Sequence, residues 1–418
     1  MSSASPPLAR RLGTTDAVVI GLSSMIGAGV FSAFGPAARA AGSGLLIGLA
    51  IAGGVAYCNA VASAQLAVQY PTSGGTYVYG RERLGDWWGF LAGWGFVIGK
   101  TASCAAMALT FASYAAGGSI WVDRLVGVAA VVALTAANYR GISRTVELAR
   151  VLVAVSILAL VVVVLAIATG SPDHSAVGGS SFTAYGVLQA AGLLFFAFAG
   201  YARVATLGEE VRDPARTIPR AIPIALGITL VLYLVVGIAV LAGAGADLLA
   251  LSSRPLATAV RAADAAWALP VVRIGAAVAS LGSLLALIAG VGRTTLAMAR
   301  NADLPRWLAS VHPRYQVPDH AELAVSAAVV ILVLTTDLRN AIGFSSFGVL
   351  LYYAIANASA YTQPGPQRRW PRALNVIGLV GCLVLVVTLP WSAVVAGAAV
   401  LAVGVAGRWV ALRSRAHD

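Results

Sequence analysis

Apolar residues run along this 418-residue chain in long segments that are separated by short polar intervals. The core of a bilayer is about 30 Å thick, so a helix that crosses it needs roughly 20 mostly apolar residues. We number the segments long enough to be such helices as spans 1 to 12, at 15–38, 43–69, 86–116, 121–138, 147–169, 183–207, 218–243, 270–299, 321–336, 341–361, 373–389 and 391–407. They predict an all-α polytopic membrane protein.

The composition supports the same fold class and excludes a soluble one. Hydrophobic residues make up 59% of the chain and charged residues 11%, whereas a soluble domain carries about 25% charged residues. The longest polar intervals, 244–269 and 300–320, are too short for a nucleotide-binding domain. The sequence therefore predicts no ATPase domain.

The net charge of +12 reflects membrane topology rather than a nucleic-acid partner. Lys100 is the single lysine, and the arginines lie mostly in short loops with no basic run interleaved with aromatics. If the N-terminus is cytoplasmic, the inner loops and tails hold nineteen arginines and the outer loops six. Cytoplasmic loops are enriched in arginine and lysine. We therefore expect both termini on the cytoplasmic side of the inner (cell) membrane.

Side chains that would support metal or enzyme chemistry are sparse. The three cysteines lie inside apolar segments, without the spacing of a metal site or a disulfide framework. The four histidines lie in loops or tails, and no His-Glu-x-x-His motif occurs. The sequence predicts no metal, no cofactor and no enzymatic activity.

Two spans are interrupted by glycine near the middle of the membrane. Span 1 contains GLSSMIGAGVF at 21–31, and span 6 contains LFFAFAGY at 194–201. The interruptions lie five spans apart, so the two helices run in opposite directions. Such pairs are typical of inverted-repeat transporters. We predict a first repeat at 1–178 (spans 1–5), a second at 179–362 (spans 6–10), and spans 11–12 with a cytoplasmic tail at 363–418.

A broken helix suits a zwitterionic ligand. Its free N–H groups attract an anion, and its free carbonyl groups attract a cation. Gly27, Ala28 and Gly29 have no bulky side chain to block a carboxylate, and nearby carbonyls can accept an ammonium group. The alternative is that the glycines only allow close helix packing. The predicted substrate-binding residues are Met25, Ile26, Gly27, Ala28, Gly29, Phe196, Ala197, Ala199 and Gly200.

Three motifs carry a family resemblance. Residues 24–31 (SMIGAGVF) resemble the first-span motif of the amino acid–polyamine–organocation (APC) superfamily. Residues 195–201 (FFAFAGY) and 208–222 (GEEVRDPARTIPRAI) are similar to the sixth span and following loop of amino acid permeases, including the cationic amino acid transporter group. A third match is GVGR at 290–293 followed by AMARNADLP at 297–305. The resemblance covers nearly the whole chain in order.

This resemblance implies a leucine-transporter-like fold of 5+5 inverted repeats plus two C-terminal helices, and amino acid transport by alternating access. It also implies an aromatic gate in span 6, at Phe198 or Tyr201. Many relatives carry an acidic residue where this chain has Ala202-Arg203. We therefore expect neutral or broadly chosen amino acids, with transport either proton-dependent or by exchange of amino acids and amines without net proton coupling.

Lys100 lies about 21 Å along span 3 at 1.5 Å per residue. A charge at that depth costs about 2.5–3.5 kcal/mol on insertion scales, so an intramembrane lysine is a functional candidate. We assign it as the proton-coupling candidate. The alternatives are a permanent ion pair with a carboxylate or a charge capped by carbonyl groups of a broken helix.

A mixed-charge run follows span 6, on the predicted cytoplasmic side. It predicts an inner gate closed by ion pairs of Glu209, Glu210 and Arg212. The alternative is an ordinary solvated loop.

Overall fold

Every predicted span contains a helix in the computed structural model, which describes residues 12–70, 74–140, 146–178, 181–205 and 211–415. Within these ranges the only β-structure is an isolated bridge between Leu12 and Val211. The α-helices are α1 Thr14–Met25, α2 Ala28–Ser32, α3 Phe34–Ala41, α4 Leu45–Gln69, α5 Thr76–Leu84, α6 Asp86–Ala115, α7 Ile120–Tyr139, α8 Val146–Thr169, α9 Ala184–Phe198, α10 Ala202–Ala205, α11 Pro214–Ala250, α12 Pro255–Ala262, α13 Leu269–Arg300, α14 Asp319–Thr335, α15 Leu338–Tyr361, α16 Arg372–Thr388 and α17 Trp391–Arg415. Short 3₁₀ helices cover Gly42–Gly44, His174–Val177, Ala266–Ala268, Arg306–Ala309 and Gly365–Gln367.

Length and hydropathy confirm the membrane class. In the part of the chain that the structure describes, nine helical segments are long and apolar enough to cross a bilayer, and two shorter apolar helices are α9 and α16. Large apolar side chains such as Leu158, Val231 and Val403 are exposed on the outer surface, where lipid can cover them. The prediction of an all-α polytopic membrane protein is confirmed.

Spans 3 and 10 form the centre of the helix packing. Buried residues make up 78% of the most apolar stretch of α6 and 83% of that of α15, but only 17% in α7 and α17. Glycine allows the close approach of α6 to α15: a Cβ at Gly348 would lie 2.5 Å from the Gly95 carbonyl oxygen. Small residues serve this purpose in membrane helices. The lysine of span 3 is therefore held at the middle of the molecule.

A buried ion-pair network ties the last span to this centre. Arg408 of α17 lies 2.8 Å from the Asp303 carboxylate, and Arg81 of α5 lies 3.1 Å from its other oxygen. The Tyr77 hydroxyl donates to the same carboxylate at 2.7 Å. Because an arginine lies within ion-pair distance of each carboxylate oxygen, the charge is compensated inside the protein. The network fixes α5, whose Tyr77 lies on the wall of the cavity described below.

Candidate substrate-binding site

The two predicted helix breaks are both present and touch each other. Helix α1 ends at Met25, Gly27 is extended, and the chain resumes as α2. Helix α9 ends at Phe198 and is followed by a non-helical turn at Gly200. A Cβ at Gly200 would lie 2.0 Å from the Ser24 carbonyl oxygen. Only glycine permits this contact between the two breaks.

Gly27 and Gly29 of span 1 are closely packed, whereas the sequence predicts that they leave room for a carboxylate. A Cβ at Gly29 would lie 2.6 Å from the Ala197 Cα in span 6. A Cβ at Gly27 would lie 2.4 Å from the Ser283 Oγ in α13. Gly29 therefore packs against the backbone of the other break, and Gly27 faces a side chain that can rotate. Both glycines also lie on the cavity wall, so each packs against a neighbouring helix and still faces the space for a ligand.

A tyrosine bridges the two breaks. The Tyr233 hydroxyl of α11 donates to the carbonyl oxygens of Met25 at 2.7 Å and Ala197 at 3.2 Å. Two of the carbonyls predicted to receive the substrate ammonium are thus already bonded to the protein. The sequence by itself does not place this residue at the site. Its signal is weak but present: a buried tyrosine hydroxyl needs a partner, and Tyr233 stands alone in an aliphatic span.

Lys100 also bonds to a break. Its Nζ donates to the Ala199 carbonyl oxygen at 2.9 Å, and its side chain is only 7% exposed. The Tyr353 hydroxyl reaches the same oxygen at 3.5 Å. No carboxylate among the described residues lies within ion-pair distance of Lys100. The geometry thus matches a charge capped by the carbonyl of a broken helix rather than a permanent ion pair.

A cavity of about 540 Å³ opens beside the breaks. Of the predicted site residues, those on its wall are Met25, Gly27, Ala28, Gly29, Lys100, Phe196, Ala197, Ala199 and Gly200. Ile26, Phe198 and Tyr201 are not on the wall. Phe198 packs on Tyr233 with ring centroids 5.1 Å apart, and Tyr201 stacks on Tyr353 at 4.9 Å. The aromatic of span 6 that faces the cavity is Phe196.

The chemistry of the wall changes with depth. Beside the breaks it combines the apolar side chains of Phe96, Met107 and Phe196 with serine hydroxyl groups and the Lys100 ammonium. Toward the predicted cytoplasmic end it becomes polar and charged, with Tyr77, Asn138, Arg203, Arg293, Gln316 and Glu322. The sequence by itself does not assign these polar residues to the site. They come from five helices and from the loop before α14, and they share no motif.

Of the three residues of the predicted inner gate, only Arg212 lies among the described residues, and it is not on the cavity wall. Glu209 and Glu210 lie outside the described residues, and Arg212 is exposed, with its backbone N–H donating to the Leu12 carbonyl at 2.9 Å.

Across the described ranges, no group of three or more histidine, cysteine or acidic side chains is placed to hold a metal ion. The three cysteines are buried and unpaired.

Comparison with known proteins decides the family. The profile of the family described as amino acid permease matches residues 12–404. The chain belongs to the amino acid permease family. An uncharacterised transporter of Mycobacterium bovis is 62% identical over 98% of this permease and 94% of its own length. A branched-chain amino acid permease of Bacillus subtilis is 26% identical over 94% and 91%. A chloroplastic cationic amino acid transporter of Arabidopsis thaliana is 28% identical over 92% and 71%.

These findings confirm the resemblance to the APC superfamily and the prediction of a transporter that is not an enzyme. The permease acts on small-molecule amino acids, as its family implies. The individual site residues are placed by the structure, and their roles remain predictions.

The contact between Gly27 and Ser283 gives a testable pair. We expect Gly27→Ala to reduce amino acid uptake, because the new Cβ would lie 2.4 Å from the Ser283 Oγ and must displace it into the cavity. Adding Ser283→Ala removes that oxygen and should restore part of the uptake. A double-mutant comparison of uptake in proteoliposomes measures the coupling. Purely additive losses would show that the two residues do not meet in the working protein.

Proposed function

We propose that this permease is a secondary active transporter that moves neutral amino acids by alternating access and depends on protons. The observation that carries the proposal is that the breaks of spans 1 and 6 meet on one cavity wall, with the Lys100 ammonium bonded to the second break. The apolar side chains of Phe96, Met107 and Phe196 on the wall beside the breaks suit an uncharged substrate side chain. The similarity to a branched-chain amino acid permease points the same way.

The backbone at the breaks can hold both ends of an amino acid. The Gly27 N–H already donates to the Met25 carbonyl. The N–H groups left for a carboxylate are therefore those of the first turn after the break, from Ala28 onward. The ammonium group can use the carbonyls of Ile26 and Phe196, to which no described side chain donates. Phe196 then lies where it can cover the substrate, whereas Phe198 or Tyr201 remains the gate predicted from the family.

Lys100 can couple a proton to this site. When it is protonated, its ammonium holds the Ala199 carbonyl and joins span 3 to span 6. Loss of the proton removes the charge from that hydrogen bond, and charge-assisted bonds are roughly twice as strong as neutral ones. The joint between the two spans is then weaker. Proton binding and the movement of the broken helix are linked through this bond.

The proposal includes a topology. Residues 1–178 and 179–362 form inverted repeats, followed by spans 11 and 12 in 363–418, and both termini lie in the cytoplasm of the inner membrane. The corresponding breaks in spans 1 and 6 support the repeats. The arginine distribution supports the orientation.

Uptake by the purified permease in proteoliposomes tests the function. With a panel of radiolabelled amino acids, we expect neutral ones to accumulate when the outside is acidic and not when the pH is equal. Accumulation should persist when choline replaces sodium, because no acidic side chain lies in the central parts of spans 1, 5 or 8 to bind a sodium ion. Strict sodium dependence, or transport of no amino acid, would overturn the proposal.

A second candidate is exchange without net proton coupling. The hydrogen bond from Lys100 to the Ala199 carbonyl favours it if the lysine stays charged throughout the cycle and only caps that carbonyl. Uptake would then require amino acid inside the vesicles and would ignore the pH gradient. The two functions are separated by loading the vesicles with and without substrate.

A further inference from the structure

Glu322 is the one acidic side chain on the cavity wall among the described residues, and the substrate site proposed at the breaks does not include it. Glu322 is in the first turn of α14, in span 9, and is 2% exposed. Its Oε2 is buried and has no hydrogen-bond partner in the described ranges. An ionised carboxylate that is buried without a partner is costly, and binding a proton removes that cost. The residue therefore calls for a functional explanation.

A glycine of span 8 places this carboxyl group. A Cβ at Gly292 would lie 2.6 Å from the Glu322 Cγ, so the side chain of Glu322 lies directly against the α13 backbone. Gly292 is about 13 Å from Ser283 along α13, at 1.5 Å per residue, and on the predicted cytoplasmic side. Since Ser283 faces Gly27, the carboxyl group sits between the breaks and the cytoplasmic end of the cavity.

The charged surroundings leave Glu322 without a fixed ion pair. Arg293 follows Gly292 and lies on the same wall, but it is exposed and no ion pair joins it to Glu322 in the described part of the chain. Arg203 and Tyr77 also line the cavity. The other titratable or charged side chains on α14 and the elements packed against it are Asp319 and His320 of α14, Asp123, Arg124 and Tyr139 of α7, Asp86, Lys100, Cys104 and Tyr114 of α6, Arg273 and Arg300 of α13, and Arg306 of the 3₁₀ helix Arg306–Ala309.

We propose that Glu322 is a second proton-binding site of the permease, on the path between Lys100 and the cytoplasm. The carboxylate accepts one proton to become the neutral acid and returns it to water in the cavity, with no other bond changed. One continuous cavity has both Lys100 and Glu322 on its wall, so water can carry the proton from one to the other. This inference rests on the proton dependence in the proposed function.

Infrared spectroscopy tests the site without relying on transport. Purified permease in lipid is titrated, and the carbonyl stretch of protonated carboxylic acids is followed. Wild type should show a component of this band that Glu322→Gln lacks and Glu322→Asp retains. Glu147→Gln is the matched control, because Glu147 is an exposed carboxylate at the start of α8 and is not on the cavity wall. It should retain the band.

Transport measurements add a second readout. In proteoliposomes, Glu322→Gln should lose accumulation driven by a pH gradient and keep exchange between equal pools, while Glu147→Gln keeps both. A carboxyl band in Glu322→Gln that is as large as in wild type at every pH, or unchanged proton-driven accumulation in that variant, would overturn the inference. If wild type transports no amino acid, the proposed function fails, and the infrared titration still decides whether Glu322 binds a proton.

Discussion

Replacing Lys100 by methionine is expected to abolish amino acid accumulation driven by a pH gradient. Methionine nearly keeps the volume of the side chain but cannot carry a proton, so the charge-assisted bond to the Ala199 carbonyl is lost. If one proton accompanies each substrate molecule, a gradient of one pH unit supports at most about tenfold accumulation, since each unit is worth 1.36 kcal/mol. Wild type should approach this ratio, and Lys100→Met should stay near one.

Exchange separates loss of coupling from loss of function. Movement of labelled substrate between equal pools needs no net proton transfer, so Lys100→Met should retain it. Lys100→Arg should also fail to accumulate, because a guanidinium group stays charged. Arg124→Met is a suitable control, since Arg124 lies over the Trp121 ring and is not on the cavity wall. If Lys100→Met accumulates substrate as wild type does, the lysine is structural.

Gly200→Ala is expected to remove transport and to destabilise the permease. The added Cβ would lie 2.0 Å from the Ser24 carbonyl oxygen and 2.7 Å from the Met25 backbone nitrogen. Neither atom can rotate away, so the two breaks must separate. Overpacking typically costs about 1–3 kcal/mol, and a backbone obstacle places this case near the upper end. Thermal unfolding of the purified protein and substrate uptake measure the two effects.

A matched glycine provides the control. Gly227 lies inside α11, and a Cβ there would meet no heavy atom within 4 Å. Gly227→Ala should therefore leave uptake unchanged and stabilise the helix by about 0.5–1 kcal/mol. Wild-type unfolding temperature and uptake in Gly200→Ala would show that the backbone contact between the breaks is dispensable.

The close packing of Gly27 and Gly29 revises an expectation from the sequence about valine substitutions. Because Gly27 and Gly29 lack side chains, the sequence suggests that valine at either position would fill a carboxylate pocket and leave the fold intact. The structure places Gly29 against the Ala197 backbone. A substitution there is expected to push the two breaks apart, so loss of binding would be accompanied by loss of stability. Gly27, which faces the movable Ser283 side chain, is the better probe of the pocket.

The sequence determined the features of this permease that depend on neighbouring residues. The number and place of the spans follow from apolar length against the thickness of a bilayer. The breaks in spans 1 and 6 follow from glycine within apolar helices, and Lys100 is conspicuous because charge in a span is rare. The structure has a helix in each predicted span and a break in spans 1 and 6. Within the described ranges, nine helical segments rather than twelve are long and apolar enough to cross a bilayer.

Only the tertiary structure decided what these features touch. Lys100 meets Ala199 across 99 residues of chain, and Tyr233 meets Met25 across 208. Phe196 rather than Phe198 faces the cavity, and Glu322 reaches it by lying against Gly292. The physical reason is that a bilayer fixes where each helix begins and ends, but its hydrocarbon exerts no preference for one helix neighbour over another. Those neighbours are selected by close packing and hydrogen bonds between spans that are distant in sequence.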